Sequence, residues 1–237
     1  MALPFVGRER ELKQIQQAME KGENLILIGK YGIGRTRLVR HLVHRQEFKR
    51  WRFVFTDFSQ TPLRLGQQMM VGLGLEGPGS IPRAHLSYPA LRFRITHGNL
   101  PPGPRPVLVL DNIAKLTVLK LNLLRDLVLT GQFRFIAIVE ECIPPKDLFR
   151  LRAWLRPALL LHISYLPRSR TQEFFRTAAQ QRSLRWTESE IAHWAEIAGG
   201  YPLRMKEILI GKLMAHSPGQ SKPFSAKGIF EEKRSGG

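Results

Sequence analysis

Apolar and polar positions follow two different patterns along the chain. Short runs of consecutive apolar residues, such as 24–29 and 106–112, suit strands that are buried on both faces of a parallel sheet. Between these runs, apolar residues recur at helical spacing, as at Leu12, Ile15 and Met19. Strands that alternate with helices predict an α/β protein in which helices cover both faces of a parallel sheet, giving three layers. The predicted strands cover 24–29, 51–58, 106–112, 134–141 and 158–166.

The pattern changes near residue 168, where the strand-like runs stop and three helical segments follow. Thr187 and Glu190 form a predicted capping box at the start of the second segment, and Gly199 predicts its end. These patterns divide the chain into an α/β core, a small helical subdomain and a polar tail rich in Gly, Pro and Ser, which we expect to be disordered. The bounds of the three parts are 1–167, 168–215 and 216–237.

Bulk composition excludes several classes of protein. The chain has 237 residues, of which 43% are hydrophobic, so it is long enough and apolar enough to bury a core. Its start lacks the apolar segment of a secretory signal, and no apolar run reaches the length of about 20 residues that spans a bilayer. The single cysteine, Cys142, cannot form an internal disulfide, which favours a reducing compartment. These features predict a cytoplasmic protein.

Charge is the most unusual bulk property. Lys and Arg total 37 against 19 acidic residues, a formal net charge of +18. A field of this size attracts polyanions, nucleic acid first and an anionic membrane surface second. The alternative is a basic protein that associates with a protein partner. Charge concerns association and does not indicate the fold.

The segment "GKYGIGRT", residues 29–36, joins the first predicted strand to a helix. It matches the phosphate-loop pattern G-x-x-x-x-G-K-[ST] except at one position, where Arg35 replaces lysine. Glycines let backbone N–H groups converge on an anion, and the following helix directs its positive end at the same point. The hydroxyl of Thr36 is expected to ligate Mg²⁺. The predicted phosphate-binding residues are Gly29, Lys30, Tyr31, Gly32, Ile33, Gly34, Arg35, Thr36 and Arg37.

Two positions in this loop leave alternatives open. Arg35 keeps the positive charge of lysine, but its planar fork is bulkier and fixed in direction, so nucleotide binding should survive better than turnover. Lys30 is either a solvated loop charge or a phosphate contact of the kind found in deviant loops that work across a dimer.

The third predicted strand, "PVLVLDN", ends in an acid that suits the second half of a nucleotide site. Asp111 is expected to hold Mg²⁺ at the carboxyl edge of the sheet, where α/β proteins bind ligands. The next residue in such sites is often a glutamate that polarises the attacking water, but here it is Asn112, whose amide orients water without accepting its proton. Glu140 or Glu141, after the next strand, either supplies the missing carboxylate or lies in an exposed loop.

Together these segments resemble the AAA+ ATPases, specifically the branch of origin-recognition initiators, transposition-helper ATPases and STAND signalling ATPases. The resemblance covers about residues 5–214 and implies a P-loop NTPase core with a helical lid, with ATP and Mg²⁺ as cofactors. "FVGRERELKQI" is similar to the family's N-terminal element, which implies that Phe5, Val6, Gly7 and Arg8 line the adenine pocket. "GGYPLRMKEIL" is similar to the lid motif, which implies that Pro202 lies near the base or sugar and that Arg204 is a candidate sensor of the γ-phosphate.

The same resemblance implies a homo-oligomer, because in this family an arginine from a neighbouring subunit often completes the site. Arg152 and Arg156 lie in the corresponding region. The alternative is that they belong to the general basic surface.

Three functions remain open at this point. The first is a nucleotide-dependent switch or assembly factor, acting on DNA, with weak or absent hydrolysis. The second is a competent ATPase that uses Arg35 and Glu140 or Glu141. The third is a vestigial ATPase core that serves as a basic scaffold for nucleic acid or protein.

Overall fold

The computed structural model describes residues 3–75 and 85–215, so the predicted tail (216–237) lies outside the described residues. Five parallel strands form one sheet, in the order β2-β3-β4-β1-β5. The strands are β1 (Asn24–Gly29), β2 (Trp51–Asp57), β3 (Arg105–Ile113), β4 (Arg134–Glu140) and β5 (Ala158–His162). The α/β prediction is confirmed, and because the sheet is parallel, all five strands deliver their carboxyl ends to one edge.

Nine α-helices accompany the sheet in the described ranges. They are α1 (Glu9–Glu20), α2 (Arg35–Val43), α3 (Pro62–Gly72), α4 (Tyr88–His97), α5 (Val118–Leu129), α6 (Pro145–Trp154), α7 (Arg168–Gln180), α8 (Glu188–Ala198) and α9 (Pro202–Ala215). No helix within 3–75 or 85–215 is both long and apolar enough to cross a membrane.

Successive side chains of β1 point to opposite faces of the sheet, as the period of two requires. Leu25 and Leu27 belong to the apolar layer that packs under α1 and α2, whereas Ile26 and Ile28 belong to the layer that packs under α3 to α6. All four side chains are 4% exposed or less. This two-sided burial accounts for the continuous apolar runs in the sequence and gives the three predicted layers.

A third apolar cluster joins α7, α8 and α9 to one another. Phe175, Trp194 and Leu209 are buried in it, and Val6 and Leu166 pack against it from outside. The capping box is present at Thr187, and Gly199 ends α8 with a φ of 57°. We refer to residues 199–215, which follow α8 and include α9, as the lid segment.

Candidate functional site

The phosphate loop runs from the end of β1 to the first turn of α2, and its glycines adopt conformations that other residues resist. Gly32 and Gly34 have φ values of 73° and 93°. A Cβ on Gly29 would lie 2.7 Å from the carbonyl oxygen of Ile163, so this position also requires glycine. Side-chain-free backbone beside a helix N-terminus suits an anion such as a phosphate.

Thr36 and Asp111 meet at the carboxyl edge of the sheet. The Thr36 hydroxyl donates to Asp111 Oδ1 over 3.0 Å, although 75 residues separate the two in sequence. Burial raises the pKa of Asp111, and the hydrogen bonds from Thr36 and from the Asn112 N–H oppose that shift. A hydroxyl and a carboxylate in contact suit Mg²⁺, which takes few protein oxygens and keeps several waters. The described residues hold no group of three or more His, Cys, Asp or Glu suited to a metal ion.

Arg35 is where the structure departs most from a standard phosphate loop. Its side chain is 6% exposed and its guanidinium donates to the backbone oxygen of Val139 and, over 2.5 Å, to Glu140 Oε1. Both partners belong to β4, so in this conformation the protein itself engages the cation that was expected to bind phosphate. The same ion pair neutralises Glu140, which was one candidate for the missing catalytic carboxylate.

A small cavity lies between the N-terminal element, the phosphate loop and the lid segment. Its volume is about 40 Å³, well below the roughly 300–1,000 Å³ of pockets that enclose a ligand. The cavity in this conformation is therefore too small to enclose a nucleotide. The cavity is lined by residues expected at the nucleotide, namely Phe5, Val6, Arg8, Ile33, Gly34, Arg37 and Pro202, together with the unexpected Pro4, Leu166, Phe174 and Met205.

The N-terminal element is fixed to the loop by two arginines. Arg8 donates to Ser164 O over 2.6 Å and to Ile33 O over 3.5 Å, and it pairs with Glu11. Arg37 donates to the backbone oxygens of Leu3 and Pro4. These bonds place the two cations in the wall of the cavity, where their backbone contacts hold the segment 3–8 against the loop.

The lid segment contacts the phosphate loop directly. The Tyr201 hydroxyl donates to Tyr31 O over 2.5 Å. A Cβ on Gly32 would lie 2.8 Å from both the Tyr201 hydroxyl oxygen and Leu203 Cβ, and one on Gly34 would lie 4.0 Å from Pro202 Cγ. The start of α9 therefore lies directly against the glycines of the loop.

Several of the expected site residues lie outside this cavity. Lys30 is exposed and donates to the Tyr165 hydroxyl over 3.2 Å, and Tyr31 is 73% exposed. Arg204 is exposed in the first turn of α9. Gly7 has a φ of 63°, and a Cβ on it would lie 3.0 Å from Leu166 Cδ2, so it determines the path of the chain.

Arg152 and Arg156 are exposed near the amino edge of the sheet. Arg156 precedes β5, whose first residue, Ala158, pairs with Asn24 at the start of β1. The phosphate loop follows the other end of β1, so Arg156 lies far from the loop of its own chain.

Sequence analysis missed two residues of this site. Asp57 ends β2 opposite Asp111 and accepts a hydrogen bond from Asn112 Nδ2 over 3.1 Å. Its position as an acid at the end of a predicted strand could have indicated this role from the sequence. Tyr201 precedes the predicted Pro202, but nothing in the sequence indicates that its hydroxyl bonds the loop.

Comparison with known proteins agrees with this geometry. The family described as "AAA ATPase domain" matches residues 4–139. No curated protein sequence matches the chain.

Solved structures share the fold at low sequence identity. The Orc1 protein of Aeropyrum pernix, solved in complex with DNA, is 16% identical with a TM-score of 0.71, over 90% of this chain and 61% of that one. The RuvB Holliday junction branch migration motor of Thermotoga maritima is 15% identical with a TM-score of 0.58, over 87% and 61%. A STAND protein of Pyrococcus horikoshii with a tetratricopeptide repeat sensor is 20% identical with a TM-score of 0.54, over 93% and 31%. The chain thus spans less than two thirds of each of these proteins.

Proposed function

This chain belongs to the AAA ATPase domain family, and we propose that it is a nucleotide-dependent switch that binds ATP with Mg²⁺ and acts on nucleic acid. The phosphate loop and the residues around the cavity hold the nucleotide in this account. Thr36 and Asp111 hold Mg²⁺, and residues 168–215 form a lid on the core formed by residues 1–167. Hydrolysis is slow.

The contact between lid segment and phosphate loop is the observation that carries the switch proposal. Tyr201, Pro202 and Leu203 lie against Tyr31, Gly34 and Gly32 respectively. The cavity of about 40 Å³ is too small to enclose a nucleotide, so in this proposal nucleotide binding displaces the lid segment. A ligand that binds one of two lid positions better shifts the population toward it.

Two features support slow hydrolysis. Arg35, in the position of the usual cationic clamp, is paired with Glu140, and phosphoryl transfer depends above all on well-placed positive charge. Asn112 cannot take a proton from water. Both departures affect turnover more than binding.

Nucleic acid is the partner that the charge favours. The net charge is +18, and Orc1, the Aeropyrum pernix protein with a similar fold, was solved in complex with DNA. At the amino edge of the sheet, Arg105 and Arg134 lie on adjacent strands, and no carboxylate of the described residues forms an ion pair with either. Burial and then the neighbouring charge of Arg105 lower the pKa of Arg134. Two cations without acidic partners form a surface suited to backbone phosphates.

Oligomerisation follows from the same account. Arg152 and Arg156 are exposed and remote from their own phosphate loop, so we propose that they reach the site of a neighbouring copy.

Hydrogen exchange with and without ATP and Mg²⁺ tests the switch directly. We expect nucleotide to change the exchange of backbone amides in two separate regions, 29–36 and 199–205, because these regions are in contact. DNA affinity measured in parallel, with no nucleotide, ADP or ATP, should change by about tenfold, which equals about 1.4 kcal/mol of coupling.

Two results would contradict this proposal. Binding of nucleotide that alters only the loop would remove the switch. A DNA affinity that does not change with ATP but falls steeply with salt would favour the basic scaffold, since that behaviour reflects counterion release alone.

A further inference from the structure

The carboxyl end of β3 departs from regular strand pairing. The register of β3 against β4 shifts between Leu110 and Ile113, and Asn112, inside this irregularity, has a φ of 61°. Asparagine occupies the left-handed region far more readily than glutamate does. Irregularities of this kind re-aim a side chain next to a functional site, and here they direct Asn112 toward the neighbouring strand β2.

Asp57, the last residue of β2, receives the Asn112 side chain. Asn112 Nδ2 donates to Asp57 Oδ1 over 3.1 Å, and Ser59 and Gln60 donate to the same carboxylate. Partial burial alone would raise the pKa of Asp57, but these hydrogen bonds outweigh it and bring the pKa to about 2. Hydrogen bonds to both of its oxygens therefore hold the Asp57 carboxylate in one orientation.

The dyad of Asp57 and Asn112 lies beside the proposed Mg²⁺ ligands. Asp57 is paired in register with Asp111, which is bonded to Thr36 over 3.0 Å. With its NH₂ group engaged by Asp57, Asn112 has its amide oxygen left to accept a hydrogen bond. The position next to Asp111 thus still offers an oxygen that can accept a hydrogen bond from water. The nearby carboxylate, that of Asp57, lies on the adjacent strand β2.

We propose that Asp57 is a positioning residue for ATP hydrolysis, because it orients the Asn112 amide so that the amide oxygen holds the attacking water. This inference rests on the proposed function, since it requires ATP at the phosphate loop. It differs from the open alternatives of the sequence, in which Glu140 or Glu141 supplied the carboxylate.

The chemistry balances without a protein base. The water oxygen bonds to the γ-phosphorus, the bond from that phosphorus to the bridging oxygen of ADP breaks, and ADP keeps the electron pair. The water proton passes to an oxygen of the released phosphate. Asp57 is not the base in this account, because its oxygens already accept hydrogen bonds from Ser59, Gln60 and Asn112. Hydrolysis that depends on a held water alone is slow, as proposed above.

Single-turnover hydrolysis, with protein in excess over γ-labelled ATP, tests this role. Asp57→Asn should lower the rate of phosphate release roughly 10- to 100-fold, while ATP affinity stays within about twofold. The NH₂ group that this substitution introduces would compete for the amide oxygen of Asn112 that the water needs. The exchange variant Asp57→Asn/Asn112→Asp restores a carboxylate bonded to an amide and should recover at least the native rate. Glu20→Gln, which removes an exposed carboxylate at the end of α1, is the control and should be neutral.

The outcomes separate this inference from the function on which it rests. Failure of the native protein to bind ATP would overturn the proposed function. ATP binding with no phosphate release, or a native rate in Asp57→Asn, would overturn the role of Asp57 and leave the switch intact. Equal losses of rate, affinity and thermal stability in Asp57→Asn, with no rescue by the exchange variant, would show a merely structural role and also overturn it.

Discussion

Asn112 occupies the position where a glutamate often polarises water. Its backbone conformation indicates that replacing it by glutamate would not restore hydrolysis. With φ at 61°, a glutamate at this position carries a conformational cost on the order of 1–3 kcal/mol. It also places a second carboxylate beside Asp57, which Asn112 now bonds.

We therefore expect that Asn112→Glu does not accelerate ATP hydrolysis and lowers the melting temperature. Asn112→Gly separates the two effects, because glycine accepts the backbone conformation but also loses the bond to Asp57. Thermal unfolding and single-turnover rates of both variants check this expectation. A faster, equally stable Asn112→Glu protein would show that the irregularity at the end of β3 is not a constraint.

His41 makes the stability of the packing around Phe5, in the N-terminal element, dependent on pH. Its ring stacks on Phe5 with centroids 3.8 Å apart, and burial, followed by the charges of Arg45 and Arg37, lowers its pKa. The unfolded chain thus binds a proton at this residue more readily than the folded chain. Stability from the neutral ring is complete above the unfolded pKa of about 6.5 and is lost as pH falls below that value.

We expect the melting temperature to fall between pH 7.5 and 5.5 more in the native protein than in His41→Phe, which keeps the stacked ring but cannot titrate. Melting curves of the two proteins across this range provide the measurement. Parallel curves would mean that His41 does not report on the packing of Phe5.

At the scale of elements, the loop and the lid segment are in direct contact. Gly32 has a φ of 73° and a Cβ there would meet Tyr201 and Leu203. Gly131 has a similar φ, 66°, with nothing within 4 Å of a Cβ. At either position an alanine would carry the cost of a left-handed backbone, roughly 1–2 kcal/mol. Only at Gly32 would the added Cβ also meet the lid segment.

Gly32→Ala should therefore destabilise the protein more than Gly131→Ala and should also weaken binding of a fluorescent ATP analogue at least tenfold. The reason is that the added methyl group displaces either the loop or the start of α9. Binding titrations and melting curves of both variants measure the difference. Equal losses of melting temperature and of ATP-analogue affinity in the two variants would mean that contact with the lid segment does not affect the loop.

Local patterns predicted most of these elements, and they could not predict their contacts. The inner strands β1, β3 and β4 were visible because they are buried on both faces, as Leu25 and Ile26 of β1 show from opposite layers. Helix α6 was not predicted, since Pro144 and Pro145 at its start and several arginines along it obscure the apolar positions Leu148, Leu151 and Leu155.

The site divides in the same way. The loop, Thr36 and Asp111 follow from spacing and strand ends. The pairing of Arg35 with Glu140 and of Tyr201 with Tyr31 joins residues 105 and 170 positions apart. Such pairs depend on side-chain directions in the folded chain, which spacing alone does not determine.

At the scale of the whole molecule, the excess of positive charge should act as a distributed term in nucleic-acid binding, with a local contribution at the amino edge of the sheet. Arg105 is exposed and lies beside Arg134. Arg105→Gln should weaken DNA binding and reduce the slope of log affinity against log salt by about 1.

Arg10→Gln is the matched control, because it removes the same charge from the exposed face of α1. DNA titrations at several salt concentrations compare the two variants. If both change affinity and slope equally, binding follows net charge, and the amino edge is not a specific surface.

The central claim is that the phosphate loop, with Thr36 and Asp111, holds ATP and Mg²⁺ despite the replacement at Arg35. Its most direct test is the thermal stability of the native protein, Thr36→Ala and Asp111→Ala as ATP and Mg²⁺ are added. Ligand at 100 times its dissociation constant stabilises by about 2.7 kcal/mol, or roughly 5–10 °C for a domain of this size. The account predicts this rise in the native protein and its loss in both variants; a folded native protein that does not respond, or variants that respond equally, would contradict it.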